Sequence, residues 1–492
     1  MALPVALYST AQVRAIDAHA IEELGIPGYM LMKRAGEAAL RCLRTRWPMA
    51  HRIVIVCGSG NNGGDGYVLA RFAQAAGLAV TVLAAASPEE LRGDARLAYE
   101  DFRASEGSVR PFAPEQLSVG EVIVDALLGT GLKGSVRESL LPVIRAVNAA
   151  ATPVFALDVP SGLDSDAGTV AGEAVRADAT LTFVGLKTGL FVGDGPEHAG
   201  TVFFDDLELG DAPQLALAPR LTRIVEAEIH AALPRRPRSS NKGDFGRVLI
   251  VGSGSGMPGA ARMAGEAALR VGAGLVTVAV APENVMAIAA GRPELICVGT
   301  REPRDLEDAL SRADVIAVGP GLGRTPWAAA ALHAVLESGK PLIVDADALN
   351  LLAENTPTPR EHWILTPHPG EAARLLATSA QDIQQDRLAA LGHLLDRWHG
   401  TVVLKGAGTL VGSAGRTPGL CERGNPGMAT AGTGDVLTGT IAGIHAQCGD
   451  SWVAARVGVL VHALAGDAAA RGGERGVLAG DLLRELPHCV NL

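Results

Sequence analysis

The chain is poor in the residues that several large functional classes depend on. Aromatic side chains make up 4% of its 492 residues, which leaves few platforms for stacking bases. A formal net charge of −10 is the wrong sign for a phosphate-backbone binder, which needs clustered Lys and Arg. No nucleic-acid partner is expected. None of the six cysteines, Cys42, Cys57, Cys297, Cys421, Cys448 and Cys489, forms a C-x-x-C pair. Cys57 and Cys297 lie in apolar, strand-like runs, so buried reduced thiols in a reducing compartment are expected. No apolar run approaches the roughly 18 residues needed to span a bilayer. The opening "MALPVALYSTAQVRAIDAHA" turns polar and helical too early for a secretory leader. The expectation is a cytoplasmic protein with no membrane partner.

What the chain does have is length, glycine and alternation. A sequence of 492 residues exceeds one ordinary core, so two domains are expected. After two amphipathic helices, "TAQVRAIDAHAIEELG" and "YMLMKRAGEAALRCL", apolar runs alternate with helical patterns. "RIVIVC", "LAVTVLAA", "EVIVDALLG", "PVFALDVP" and "ATLTFVG" read as strands of a parallel sheet covered on both faces. The pattern weakens near "GDAPQLALAPR". It resumes after the basic, Pro-rich "LPRRPRSSNKGDFG" with "RVLIVGSG", "GLVTVAV", "ELICVG", "DVIAVGPGLG", "PLIVDADALN", "WILTPHPGE" and "TVVLKGAG", then Gly-rich and helical sequence. The fold class is α/β, with two three-layer domains at 1–220 and 221–492.

In the first half, "CGSGNNGGDG" fits the dinucleotide fingerprint through Gly58, Gly60 and Gly63. A nicotinamide dehydrogenase would carry an acidic residue at the end of the next strand. Here "VTVLAAAS" ends in small residues, and Glu89 and Glu90 follow a proline, so the redox reading weakens. A glycine turn whose amides meet a phosphate at a helix N-terminus remains, with Asn61, Asn62 and Asp65 adding side-chain oxygens. The competing reading is an Asn-Gly turn with Asp65 capping the next helix. Two more strand ends join it: Asp125, followed by a glycine loop from Gly129 to Gly134, and Asp158, followed by Ser161. Ligands of open α/β sheets bind at the carboxyl ends of strands. Asp158 can serve there as acid or base, and Asn62, Asp125 and Ser161 are hard oxygen donors suited to K⁺.

The second half has different equipment. "GNPGMATAGTGDVLTGTIAG" places Gly432, Thr433 and Gly434 before an apolar helix, with Asp435 at its start. Amides at such a helix start form an anion hole, and an adjacent carboxylate can deprotonate a hydroxyl attacking phosphorus. The competing reading is that Asp435 only caps the helix. No Walker-type G-x-x-x-x-G-K-[ST] is present. Lysine is scarce, and four of the six, Lys133, Lys187, Lys242 and Lys405, stand in glycine-flanked segments. A compact ammonium beside bare backbone suits a phosphate.

"GSGNNGGDG", "DALLGTGLKG" and "LDVPSGLDSD", together with "GIPGYMLMKRAG", resemble the epimerase domain of the NAD(P)HX repair enzymes over most of residues 1–210. The resemblance implies a Rossmann-like domain that interconverts epimers of the hydrated nucleotides NADHX and NADPHX, with K⁺ bound nearby. Asn61, Asn62, Gly63, Gly64, Asp65, Gly129, Thr130, Gly131, Leu132, Lys133, Gly134 and Ser135 would hold the nucleotide. Asn62, Asp125 and Ser161 would hold K⁺, and Asp158 would contact the hydrated ring.

From residue 225 onward, "NKGDFGRVLIVGSGSGMPGAARMAGEAALRVGAGLVTVAV", "VGPGLG", "DADALNLL", "LTPHPGE", "VLKGAGT" and "GNPGMATAGTGD" resemble the ADP- or ATP-dependent NAD(P)HX dehydratase domain, which has a ribokinase-like fold. Ala260, Gly323, His368 and Asp435 would then contact the hydrated nucleotide. Lys405, Gly406, Ala407, Gly408, Thr409 and Gly434 would contact ADP or ATP, with Mg²⁺. For His368 taken alone, a loop histidine between two prolines stays open. The resemblance implies a bifunctional repair enzyme; a homo-oligomer is expected. The alternative is a ribokinase-like small-molecule kinase, of the hydroxymethyl-pyrimidine type, fused to a nucleotide-binding scaffold module.

Overall fold

The computed structural model describes residues 3–131, 134–170, 172–210, 217–355 and 358–492. It divides into two compact units, Met1–Leu221 and Thr222–Leu492.

The first unit opens with α1 (Thr10–Glu22) and α2 (Gly28–Arg46). Its strands are β1 (Arg52–Cys57), β2 (Ala79–Ala84), β3 (Val109–Pro111), β4 (Val122–Ala126), β5 (Val154–Leu157), β6 (Ala179–Phe183) and β7 (Thr201–Asp205). They form a seven-stranded sheet in the order β3-β2-β1-β4-β5-β6-β7, with every neighbouring pair parallel. Helices α3 (Asn61–Ala75), α4 (Gly93–Ala104) and α5 (Leu141–Ala149) connect strands. Strand β1 shows why its run is apolar from Ile53 onward. Ile53, Ile55 and Cys57 join a core with Leu43, Leu69 and Phe102 of α2, α3 and α4. Val54 and Val56 join another with Ile144 and Val147 of α5. Side chains alternate between faces along a strand, so a strand covered on both sides reads as a nearly continuous apolar run. The strand order reverses at β1 and β4, which is where an open α/β sheet presents its ligand crevice.

The second unit carries β8 (Arg247–Val251), β9 (Leu275–Val280), β10 (Ile296–Gly299), β11 (Val315–Val318), β12 (Leu342–Val344), β13 (Trp363–Leu365), β14 (Thr401–Leu404), β15 (Thr409–Ser413) and β16 (Gly419–Cys421). Their order is β10-β9-β8-β11-β12-β13-β14-β15-β16. Pairing is parallel up to β14 and antiparallel from β14 through β16. The helices that matter below are α6 (Pro258–Arg270), α7 (Ala346–Asn355), α8 (Pro369–Leu376), α9 (Arg387–Trp398), α10 (Thr433–Cys448) and α11 (Ser451–Ala469). Helix α10 lies almost backbone to backbone on α6, since a Cβ at Gly439 would stand 1.9 Å from the Ala264 carbonyl oxygen.

Two details differ from the sequence reading. Cys297 is only half-buried, because it lies on β10 at the edge of its sheet. The segment Ser451–Gly472 does reach bilayer length and apolarity. It is α11 and its extension, and 67% of the apolar window is buried, packed among the core residues of the second unit. It carries Arg456 and His462, both more than nine-tenths buried.

Candidate active sites

The β1–β4 crevice of the first unit holds a cavity of about 490 Å³. Helix α3 starts at Asn61 with Gly60 as its N-cap and no side-chain cap, so Asp65 is not the helix cap. The glycines of this turn serve closeness of backbone. A Cβ at Gly58 would stand 2.0 Å from the Leu127 carbonyl oxygen, and one at Gly63 would stand 2.2 Å from that of Gly58. Gly63 and Gly64 are buried, and Gly64 packs on Met32 and Ala95. Asn61, Asn62 and Asp65 line the cavity, as do Gly129, Thr130 and Gly131 beyond β4 and Asp158 beyond β5. Gly134 and Ser135 are exposed and not part of that lining. Leu132 and Lys133 lie outside the described residues.

Asn62, Asp125 and Ser161 come together beneath the Leu127–Leu128 backbone. Ser161 donates its hydroxyl to Asp125 Oδ1 (2.6 Å) and its amide to Oδ2 (2.8 Å). The Leu128 amide donates to Ser161 Oγ (2.8 Å), and Asn62 Nδ2 donates to the Leu128 carbonyl (2.9 Å). Asn62 Oδ1 is buried with no hydrogen-bond partner. Burial pushes the Asp125 carboxyl up to about 6, against the hydrogen bonds from Ser161 and Leu127. A buried carboxylate with only neutral donors, beside an orphaned amide oxygen, fits a monovalent cation with oxygen ligands.

Asp158 has a left-handed backbone, φ 64°, a conformation that costs a non-glycine residue energy. Its Oδ1 accepts from Lys187 Nζ at 2.5 Å and from Thr182 Oγ1 at 3.4 Å. Lys187 is 1% exposed and also donates to the Phe183 carbonyl at 2.6 Å. Two of its three N–H groups go to these partners, so Lys187 orients Asp158 from within the cavity lining. The sequence marks Lys187 as suited to a phosphate and gives no signal for Asp17 of α1, which lines the same cavity. Burial raises Asp17 to about 6, opposed by Lys187 and assisted by Asp158. Burial also raises Asp65 well above the ordinary carboxylate range, with Asp158 and Asp17 adding to it.

In the second unit the start of α10 is the focus. Gly432 is the N-cap at φ 92°, and a Cβ there would meet Met263 Cε at 2.6 Å. The amides of the first turn have no acceptor within the helix. Thr433 Oγ1 turns away to the carbonyls of Met428 (3.0 Å) and Thr430 (2.9 Å). His462 Nε2 lies 2.9 Å from the Thr433 carbonyl, and burial pushes that imidazole down to about 4. Neutral His462 therefore donates there and pins the turn. Asp435 caps nothing. Burial raises it to about 7, with Asp345 and Asp347 adding and Lys405 opposing.

Around it stands a network of which the sequence reading singled out only Lys405. Asp345, fully buried at the end of β12, accepts from Lys405 Nζ (2.7 Å), Thr366 Oγ1 (2.8 Å) and Thr438 Oγ1 (2.7 Å). Burial opposes its charge, but Lys405 and these hydrogen bonds hold it below the usual carboxylate range. Lys405 Nζ also lies 3.7 Å from Glu371 Oε2. A Cβ at Gly434 would stand 3.7 Å from Lys405 Nζ and 3.9 Å from Asp345 Oδ2, so the bare backbone there opens onto the ammonium. The Lys405–Gly408 turn joins β14 to β15, with Gly406 at φ 138° and Gly408 at φ 65°. Arg387 of α9, buried, donates to the carbonyls of Leu404 (3.1 Å), Lys405 (3.2 Å) and Gly408 (3.4 Å). Gly406 and Ala407 are exposed, and Thr409 Oγ1 donates to the Gly406 carbonyl (2.9 Å).

His368 is the N-cap of α8. Its Nδ1 accepts from the amides of Gly370 (3.0 Å) and Glu371 (3.4 Å), while its own amide donates to Glu371 Oε2 (2.8 Å). Burial lowers its pKa, with Lys405 and Arg374 assisting and Glu371 and Asp345 opposing. The ring is fixed by the helix start, with Nε2 3.4 Å from Glu371 Oε1. Gly323, at φ 78°, donates its amide to Asp347 Oδ2 (2.8 Å). Ala260, in the first turn of α6, packs against Gly321 of the same glycine loop. Asp345 and Asp347 could have been noticed at the carboxyl end of "PLIVDADALN"; nothing in the sequence marks Arg387.

Residues 248–488 match the family model for NAD(P)H-hydrate dehydratase, and residues 28–189 match that for the YjeF-related protein N-terminus. The chain is 48% identical to the bifunctional NAD(P)H-hydrate repair enzyme Nnr of Coxiella burnetii, over 99% of both chains. It is 43% identical to that of Escherichia coli, over 100% of this chain and 95% of the other. Among solved structures, a ribokinase-like superfamily protein from Enterococcus faecalis matches with TM-score 0.52 and 33% identity, covering 56% of this chain and 97% of its own.

Proposed function

Because this chain belongs to the family of bifunctional NAD(P)H-hydrate repair enzymes, we propose which residues of its two sites carry the two reactions. The protein is a metabolite-repair enzyme: it interconverts the R and S forms of NAD(P)HX and dehydrates the S form to NAD(P)H at the expense of ADP or ATP. The reading as a kinase fused to a scaffold module has no such support.

Epimerisation is assigned to residues 1–220 and dehydration to residues 221–492. In the first cavity Asn61, Asn62 and Asp65 with Gly129, Thr130 and Gly131 receive the nucleotide. Asp158, aimed by Lys187, meets the hydrated ring. Asn62, Asp125 and Ser161 hold K⁺, whose charge would offset the buried Asp125 carboxylate; the orphaned Asn62 Oδ1 supports this. Inverting the hydroxyl-bearing carbon beside the ring nitrogen proceeds by loss and return of water, with Asp158 relaying a proton.

In the second unit Ala260, Gly323 and His368 place the hydrated nucleotide, and Lys405 to Thr409 with Gly434 place ADP or ATP. Hydroxide is a poor leaving group, so the hydroxyl is first phosphorylated. Asp435 takes its proton as the oxygen attacks the terminal phosphate. The amides at the start of α10 stabilise charge on the transferring group. Phosphate then leaves with the C–O electrons, and loss of a neighbouring ring proton restores the reduced nicotinamide. Mg²⁺ would neutralise phosphate charge.

The observation that carries this reading is Asp435, a carboxyl raised to about 7 beside the bare amides of α10 and the Lys405 ammonium. Asp435→Asn is expected to stop phosphate release and the recovery of reduced-nicotinamide absorbance while ADP still binds. A near-normal rate would remove Asp435 from this role. We assign the enzyme to the reducing cytoplasm, which suits its six free cysteines. A homo-oligomer is our expectation, and light scattering tests it.

A further inference from the structure

Inverting one carbon by loss and return of water requires the hydroxyl to depart from one face of the ring and water to arrive at the other. A single fixed carboxylate serves one face well. The epimerase cavity offers a second. Val13, Asp17 and Ile21 lie one turn apart on α1 and all line it. Asp17 is thus the one acid that α1 brings to the cavity, beside Arg14, which donates to the Thr130 carbonyl (2.8 Å). Among the described residues its carboxylate makes no hydrogen bond and no ion pair, whereas Asp158 is committed to Lys187. The other charged or titratable groups lining the cavity are Arg14, Asp65, Asp94, Arg137, Asp158 and Lys187.

We propose that Asp17 is a second proton-transfer residue of the epimerase site, working from the α1 wall while the Asp158–Lys187 pair works from the strand ends. The proposal rests on placing epimerisation in this cavity. The Asp17 carboxyl gives its proton to the departing hydroxyl as the C–O bond breaks, and the ring-nitrogen lone pair forms the C=N⁺ bond. Water leaves. A water adds to the opposite face of the same carbon and gives its proton to Asp158, and proton exchange through solvent resets both carboxyls. In the reverse direction the two exchange roles, so nothing is consumed. Burial that raises Asp17 to about 6 makes it a better proton donor near neutrality than an ordinary carboxyl.

The test compares the full-length enzyme with Asp17→Asn, Asp17→Glu and Asp158→Asn, following each epimer of NADHX chromatographically and subtracting the spontaneous rate. NADP⁺ binding and dehydration of purified S epimer serve as references. Asp17→Asn is expected to lower epimerase kcat about 100-fold or more, with KM, NADP⁺ binding and dehydration within about threefold. Asp17→Glu is expected to recover about tenfold of that loss. Wild-type kcat should fall as pH rises through about 6, because the protonated carboxyl donates, and Asp17→Asn should lack that limb. Epimerase activity of Asp17→Asn within threefold of wild type, or a loss matched by lost NADP⁺ binding, overturns the proposal. If Asp158→Asn alone is inactive the cavity assignment stands without Asp17; if neither variant loses activity the cavity assignment itself fails.

Discussion

Asp435 is held where a general base is useful, at about 7. Only the ionised form can accept the hydroxyl proton, so dehydratase kcat should fall as pH drops below about 7, tenfold per unit once well below it. The same burial costs stability. Its folded pKa lies above the unfolded value of 3.8, so the native state binds the extra proton between those values and loses stability as pH rises through that window. Asp435→Asn should therefore melt higher than wild type at pH 8 and nearly level with it at pH 4. The gain is at most about 4 kcal/mol, taking 1.36 kcal/mol per unit. A variant that melts lower at pH 8 would show that the carboxylate is compensated by contacts not described above. Asn62 makes an independent claim. Asn62→Ala should abolish activation of the epimerase by KCl, with choline chloride as the ionic-strength control, and leave dehydration unchanged. Undiminished activation would move K⁺ elsewhere.

Elements set these residues in place, and two of them make sharp predictions. Gly439 lets α10 lie on α6, and an alanine there would drive its Cβ into the Ala264 carbonyl. Gly439→Ala should cost about 2 kcal/mol or more by overpacking, read as a lower denaturation midpoint of the second unit, with dehydration lost before epimerisation. Arg387 ties α9 to the turn between β14 and β15 through three carbonyls. Arg387→Leu should raise KM for ADP about tenfold with a smaller effect on kcat, in line with about 1.5 kcal/mol for hydrogen bonds from a charged donor. What was legible beforehand follows the same physics. Strands β1, β4, β5 and β8 were plain because burial on both faces leaves them apolar apart from Arg52, Asp125 and Arg247. Strand β3 was not, because Arg110 and Pro111 are exposed at the edge of the sheet, nor were β15 and β16, which carry Gly412 and Gly419. Asp125, Asp158 and Asp435 stood out because glycine turns announce strand and helix ends. Asp345 and Arg387 did not, because Asp345 takes its role from partners 21, 60 and 93 residues away and Arg387 from carbonyls that carry no residue identity.

At the scale of the whole chain, the logic is serial. A dehydratase that aligns one hydroxyl with a phosphate accepts one epimer, and the epimerase keeps supplying it. The decisive measurement mixes the full-length enzyme, Mg²⁺ and ADP or ATP with an equimolar mixture of R and S NADHX and follows reduced-nicotinamide absorbance together with phosphate. The account predicts complete recovery by wild type with one phosphate per NADH. It predicts a stall at half recovery for Asp158→Asn, apart from the slow spontaneous exchange, and no recovery for Asp435→Asn. Wild type halting at half recovery, or Asp435→Asn recovering NADH with release of phosphate, would contradict it.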